Sequence, residues 1–275
     1  MNIQKALIPI AGYGSRMLPI TKAIEKSMLP VGTRPVIDYA VEDVIKAGIT
    51  DIYFVVGEGS RQVQDYYSEN PQLQTYLETH NKTDKIPLIT PPAGVTFHYI
   101  TQPSTGGYGT SIPVGLAADL IAEDESALVI MGDQFFLRED GGSNAADLIA
   151  YVKSKGAQAG LLGVPVPPED VSKYGIIEKD NQDRFVQIVE KPAPEDAPST
   201  LNNASFYLFD KRLFELAKTL PANPVRGEFE ITDAINAYVA EGGSIIVGEA
   251  HGEYLDAGSP DGWLRAINTV MKHTA

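Results

Sequence analysis

Apolar residues come in short runs separated by polar and glycine-rich stretches, and two periods alternate along the chain. The runs at 5–10, 51–56, 96–100 and 127–131 predict strands, the last buried on both faces. Between and after them, 36–47, 60–80 (interrupted near Pro71), 111–121 and 144–155 carry apolar positions at helical spacing. Pro35 stands near the start of the first predicted helix and Gly48 ends it, matching the usual asymmetry of helix termini. Residues 82–94 are polar and proline-rich and predict a loop, and 160–166 predicts another buried strand. Strands alternating with helices point to an α/β fold, a Rossmann-like, mainly parallel sheet with crossover helices.

The pattern changes near Pro167. Runs at 175–179 and 185–189 flank Asn181-Gln182-Asp183 and predict a hairpin. A strand at 203–209 follows, then helices at 211–219 and 231–240, a strand at 244–248 and a closing helix at 258–271. The expected organisation is an α/β portion, 1–166, and a mixed portion, 167–275, completing the same globule. Ligands of open α/β sheets bind beyond the carboxyl ends of strands, and the chain's polar motifs fall mostly there.

Charge sharpens the picture at one place. The net charge is −14, yet the first 34 residues hold Lys5, Arg16, Lys22, Lys26 and Arg34 against the single acid Glu25. Elsewhere the acidic balance disfavours nucleic acid, whose phosphates it would repel. Absence of cysteine excludes disulfides, thiolate metal sites and a cysteine nucleophile. The N-terminus does not read as a signal peptide, and no apolar run approaches the ~20 residues of a membrane span. The expectation is a cytoplasmic protein with no membrane partner.

The local excess of cations coincides with glycines. After the first strand the chain reads Ala11-Gly12-Tyr13-Gly14-Ser15-Arg16-Met17-Leu18-Pro19, and further on Lys26-Ser27-Met28-Leu29-Pro30. Glycines let backbone N–H groups approach phosphate oxygens, and cations offset their charge. Gly-x-Gly after a strand is a weak signal alone. It lacks the third glycine of the dinucleotide fingerprint and the Gly-Lys-Ser/Thr of a P-loop. Arg16, Pro19, Lys26 and Pro30 at fixed offsets make it a polyphosphate-binding loop. This stretch resembles the signature of the sugar-1-phosphate nucleotidylyltransferases, Gly-x-Gly-Thr/Ser-Arg-x-x-Pro followed by Pro-Lys-x-Met-x-Pro. Arg16-Met-Leu-Pro-Ile-Thr-Lys-Ala23 is most similar to the bacterial UTP–glucose-1-phosphate uridylyltransferases.

The resemblance implies uridylyl transfer from UTP to glucose 1-phosphate, giving UDP-glucose and pyrophosphate, with Mg²⁺ as cofactor. It implies Arg16 and Lys26 as catalytic cations, with Ala11, Gly12 and Gly14 around the nucleotide. Gln102, after the third strand, can donate and accept at once and so match a pyrimidine edge; the resemblance gives it that role together with Gly107. Asp133 and Asp256 each end an apolar run. Either can be a turn or cap aspartate or a hard-cation ligand; the resemblance pairs them on Mg²⁺. Glu190 and Lys191 match the pair that meets sugar and 1-phosphate, and Gly175 a backbone contact to sugar. Arg226 resembles a phosphate contact of the related thymidylyltransferases and leaves dTTP as the alternative nucleotide. The four histidines take no role, and a homo-oligomer is left open.

Four positions depart from the resemblance. Glu25 replaces a proline beside the phosphate lysine, Thr200 an asparagine, Ser205 a glycine, and Ala257 a cysteine. The first three also raise a non-catalytic, nucleotide-sensing relative as an alternative.

Overall fold

Strands apolar on both faces have to be covered on both sides, and the fold does this in three layers. In the computed structural model, residues 2–274 are described. The elements begin with β1 (Asn2–Pro9), β2 (Pro30–Val31), β3 (Arg34–Pro35), α1 (Val36–Lys46), β4 (Asp51–Gly57), α2 (Gln62–Tyr66) and α3 (Pro71–Thr79). They continue with β5 (Thr96–Gln102), α4 (Ser111–Leu116), β6 (Glu125–Ile130), β7 (Gln134–Leu137), α5 (Asn144–Ser154) and β8 (Ala159–Pro165). The remainder comprises β9 (Gly175–Lys179), β10 (Phe185–Glu190), β11 (Leu201–Asp210), α6 (Lys211–Thr219), α7 (Ile231–Ala240), β12 (Ile245–Glu249), β13 (Glu253–Asp256) and α8 (Pro260–Thr274).

The main sheet runs β5-β4-β1-β6-β11-β8-β12. All neighbours are parallel except at β11, which opposes both β6 and β8. The β9–β10 hairpin joins through the start of β11, where Asn202 faces Ile176. Alternate residues of the central strands feed two cores. Leu7, Val55 and Val129 pack with α4, α6 and α7, while Ile8, Phe54 and Leu128 pack with α1 and α5. A third cluster, including Met17, Leu29, Phe135 and Leu255, sits under α8.

The predicted parallel sheet and most of its helices are present. The helix expected over 60–80 is two helices, broken before Pro71 as its ring requires. The loop at 82–94 contains a 3₁₀ helix, Thr83–Leu88, and the helix expected over 111–121 ends at Leu116 with a 3₁₀ turn after it. Strand β7 was not legible, being four residues long with its partner β13 remote in sequence.

Helix α6 backs the loop after β5, since Ser111 Oγ donates to the Ala217 carbonyl at 3.1 Å. Its N-cap Asp210 accepts the Leu213 N–H at 3.0 Å and the Tyr238 hydroxyl at 2.6 Å, joining α6 to α7. Asp210→Ala loses a cap and strands a tyrosine hydroxyl, and should cost about 2 kcal/mol in urea unfolding, with the denaturant slope unchanged.

Candidate active site

A cleft of about 520 Å³ opens along the carboxyl edge of the parallel strands. Ala11, Gly12, Arg16, Lys26, Gln102, Asp133, Gly175, Glu190 and Asp256 line it. Gly14, Gly107, Lys191 and Arg226 lie outside that lining, and each has a definite place nearby.

The loop after β1 is built from three 3₁₀ turns, Ser15–Met17, Ile20–Lys22 and Lys26–Met28. Gly14 closes it from within. Its φ is +62°, its carbonyl accepts the Thr21 hydroxyl at 2.9 Å, and a Cβ there would stand 3.1 Å from that of Lys26. Met17 and Leu29 are buried in the third cluster and pin the loop at both ends, leaving the Arg16 and Lys26 head groups to the cleft.

Asp133 and Asp256 meet because β7 and β13 pair. Asp133 immediately precedes β7, Asp256 faces Gln134 across the ladder, and the Ala257 N–H donates to the Asp133 carbonyl at 2.9 Å. The space between the carboxylates borders Gly258. A Cβ on Gly258 would stand 2.7 Å from Asp256 Oδ1, 3.1 Å from Asp133 Oδ2 and 3.2 Å from Arg16 Nη2. Asp133 is ion-paired with Lys26. Burial first, and the charge of Asp133 second, raise the pKa of Asp256 above the usual aspartate value. Two hard oxygen donors held close enough to repel suit a divalent cation. Among the described residues no third histidine or acid joins them in a metal-binding group, so a cation would draw its remaining ligands from substrate and water.

The loop after β5 is clamped by residues 228–231. Phe229 N–H donates to the Tyr108 carbonyl at 2.8 Å, Ser111 N–H to the Phe229 carbonyl at 2.9 Å, and Ile231 N–H to Thr110 Oγ1 at 3.0 Å. Gly109 makes this approach possible, since a Cβ there would lie 2.1 Å from the Phe229 oxygen. Gly107 packs against the Phe229 ring. Arg226 is ion-paired with Glu230, whereas Glu228 and Glu230 line the cleft.

At the other end of the cleft Gly175 faces Glu190 across the hairpin, and a Cβ on Gly175 would stand 2.8 Å from Glu190 Oε2. Lys191, the next residue, adopts the left-handed region, φ +49°, its N–H donating to the Tyr174 carbonyl at 2.9 Å.

Several cleft residues were missed in the sequence. Asn202 is 2 % exposed, and its Nδ2 is a buried donor without a partner. Asn203 donates to the Tyr207 hydroxyl at 2.8 Å and accepts the Ser205 N–H at 3.1 Å. Tyr254 donates to Gln134 Oε1 at 2.5 Å, and the Gln134 amide donates in turn to the Ala204 carbonyl. Two adjacent asparagines entering an otherwise apolar strand were the available signal. Ser205 sits at an irregularity of β11 with φ +50°, a conformation that a glycine adopts without strain.

No helix of the described residues is long and apolar enough to cross a membrane. The family model for nucleotidyl transferases matches residues 5–273. The chain is 34% identical, over 99% of its own length and 92% of the relative's, to the UTP–glucose-1-phosphate uridylyltransferase of Streptococcus pneumoniae serotype 4. It is similar in structure to the UTP-bound UGPase of Acinetobacter baumannii, with a TM-score of 0.86 and 29% identity, covering 98% of this chain and 93% of that one. A UDP-glucose pyrophosphorylase complexed with UDP-glucose is likewise similar, with a TM-score of 0.83 and 30% identity over 99% of this chain and all of that one. Together with a cleft that sets two cations against two carboxylates at the carboxyl edge of a parallel sheet, these likenesses identify the chain as a member of the nucleotidyl transferase family of enzymes.

Proposed function

We propose that this protein transfers a uridylyl group from UTP to glucose 1-phosphate, giving UDP-glucose and pyrophosphate. The observation that carries the proposal is the convergence of Arg16, Lys26, Asp133 and Asp256 in one cleft that also takes in Gln102 and Glu190. Those six come from the loop after β1 and from strand ends on both sides of residue 166. We assign the nucleotide to the loops after β1 and β5, and the sugar phosphate to the hairpin and the start of β11. The cytoplasm, where UTP is abundant, is the expected location.

In the reaction an oxygen of the sugar phosphate attacks the α-phosphorus of UTP. A new P–O bond forms, the bond to the bridging oxygen of the β-phosphate breaks, and pyrophosphate leaves with that electron pair. Such a displacement is served by positioning and charge neutralisation, without a covalent nucleophile. We assign Arg16 and Lys26, both at the cleft, to neutralising the triphosphate. The Gln102 amide pairs with an imide N–H and a carbonyl of uracil, and Glu190 accepts from sugar hydroxyls. Asp133 and Asp256 would hold Mg²⁺, which supplies Lewis-acid polarisation of a phosphoryl oxygen when bound. Arg226, engaged with Glu230, supports neither nucleotide over the other.

The test is pyrophosphate release across a matrix of nucleoside triphosphates and sugar 1-phosphates. UTP with glucose 1-phosphate should give the highest kcat/KM and dTTP a modest reduction. ATP and GTP should be poor, because their edges leave the Gln102 amide unpaired. A purine preference would overturn the role of Gln102.

The carboxylates make a second expectation. Asp133→Asn and Asp256→Asn should each abolish detectable Mg²⁺ binding in calorimetry, and the double variant should show no further loss of activity. Because the pKa of Asp256 is raised, protons compete with the cation. Binding to the unaltered protein should therefore weaken as pH falls through a range above that of an ordinary aspartate. Unchanged Mg²⁺ affinity in Asp256→Asn would leave that residue only its bond to the Gly258 N–H.

A further inference from the structure

Glu25 is the acid beside the phosphate lysine, and its carboxylate does not face the cleft's anion-binding end. Glu25 Oε1 accepts the backbone N–H of Arg61 at 3.2 Å and of Gln62 at 3.1 Å, the N-cap and first residue of α2. The Gln62 side chain answers in kind. Its Oε1 accepts the Glu25 N–H at 3.0 Å, and its Nε2 donates to the Ala23 carbonyl at 2.8 Å. Four hydrogen bonds thus join two segments that are remote in sequence, and the next residue is Lys26.

Strand order explains the meeting. Because β4 lies between β1 and β5, the turn after it lies between the cationic loop and the loop that follows Gln102. The same turn also grips that second loop, since Ser104 Oγ donates to Glu58 Oε2 at 2.5 Å. Glu25 itself has φ −58° and ψ 136°, and it opens the 3₁₀ turn Lys26–Met28. That φ is inside the range a proline ring imposes. Here the shape is held from outside, by the hydrogen bonds to Gln62.

We propose that Glu25 is a positioning residue: with Gln62 it forms a clasp that fixes Lys26 for the triphosphate. The proposal rests on the reading of the loop after β1 as the triphosphate site. The clasp also directs the acid away from the cleft, because Oε1 of the carboxylate is committed to two backbone donors.

A double-mutant cycle with steady-state kinetics tests it, using Glu25→Ala, Glu25→Gln, Lys26→Ala and the double Glu25→Ala/Lys26→Ala. Glu25→Ala should lower kcat/KM for UTP about tenfold, the loss expected from one or two hydrogen bonds. The KM for glucose 1-phosphate should hold within about threefold. Glu25→Gln keeps an acceptor and should remain within about threefold of the unaltered protein, showing that geometry rather than charge matters. In the Lys26→Ala background, Glu25→Ala should add nothing, because its effect runs through the missing ammonium. Gln62→Ala, which keeps the Glu25 carboxylate, should reproduce the Glu25→Ala loss and serves if that variant does not fold. An undiminished kcat/KM in Glu25→Ala and Gln62→Ala, or a full tenfold loss added to that of Lys26→Ala, would overturn the clasp while leaving the triphosphate site intact. A Lys26→Ala enzyme with normal turnover would instead remove the triphosphate site, and the clasp's function with it.

Discussion

Strand β11 runs against both of its neighbours in a sheet that is otherwise parallel, and the site depends on that reversal. A parallel strand delivers its last residues to the carboxyl edge; an antiparallel one delivers its first. Phe206 faces Ile130, so Asn202, Asn203 and Ser205 extend past the end of β6 and stand beside Asp133 and the hairpin. Residues from the later part of the chain are thereby brought to the edge where β1, β4, β5 and β6 already end. The same early part of β11 carries the hairpin with Gly175 and Glu190. Had this strand been parallel, those polar groups would lie at the opposite edge of the sheet, away from Arg16 and Lys26.

The β7–β13 ribbon brings a second long-range constraint. It turns two aspartates remote in sequence into neighbours, and Tyr254 and Gln134 then connect it to Ala204 on β11. Met17, Leu29, Phe135 and Leu255 pack together beneath, so the cationic loop and the ribbon share one apolar support. Displacement of one would be felt by the other, because close-packed interiors transmit small shifts.

Much of the parallel sheet was legible, because buried strands are continuous apolar runs and crossover helices carry their own period. The cationic loop was legible for a different reason: its residues are close in sequence and its charge opposes that of the whole chain. What could not be read depends on contacts across the fold. The sequence shows Glu25 only as an acid beside the phosphate lysine, and its partners lie beyond α1 and β4. Lys191 and Arg226 were identified from adjacent residues, which show neither the left-handed backbone of the first nor the Glu230 partner of the second. Asn202 shows in the sequence only as half of an asparagine pair entering an apolar strand; its significance comes from being buried at the cleft with an unsatisfied donor.

The ion pair between Lys26 and Asp133 has a thermodynamic consequence. While they hold each other, neither is fully available to a ligand. An anion that takes Lys26 leaves Asp133 exposed to the repulsion of Asp256, and a cation that takes Asp133 leaves Lys26 without its partner. Each ligand alone meets a resistance that the other removes. The affinities for anion and cation are therefore linked, and the linkage is equal in both directions. An ion pair that satisfies both partners at rest favours the two ligands arriving together over either one alone.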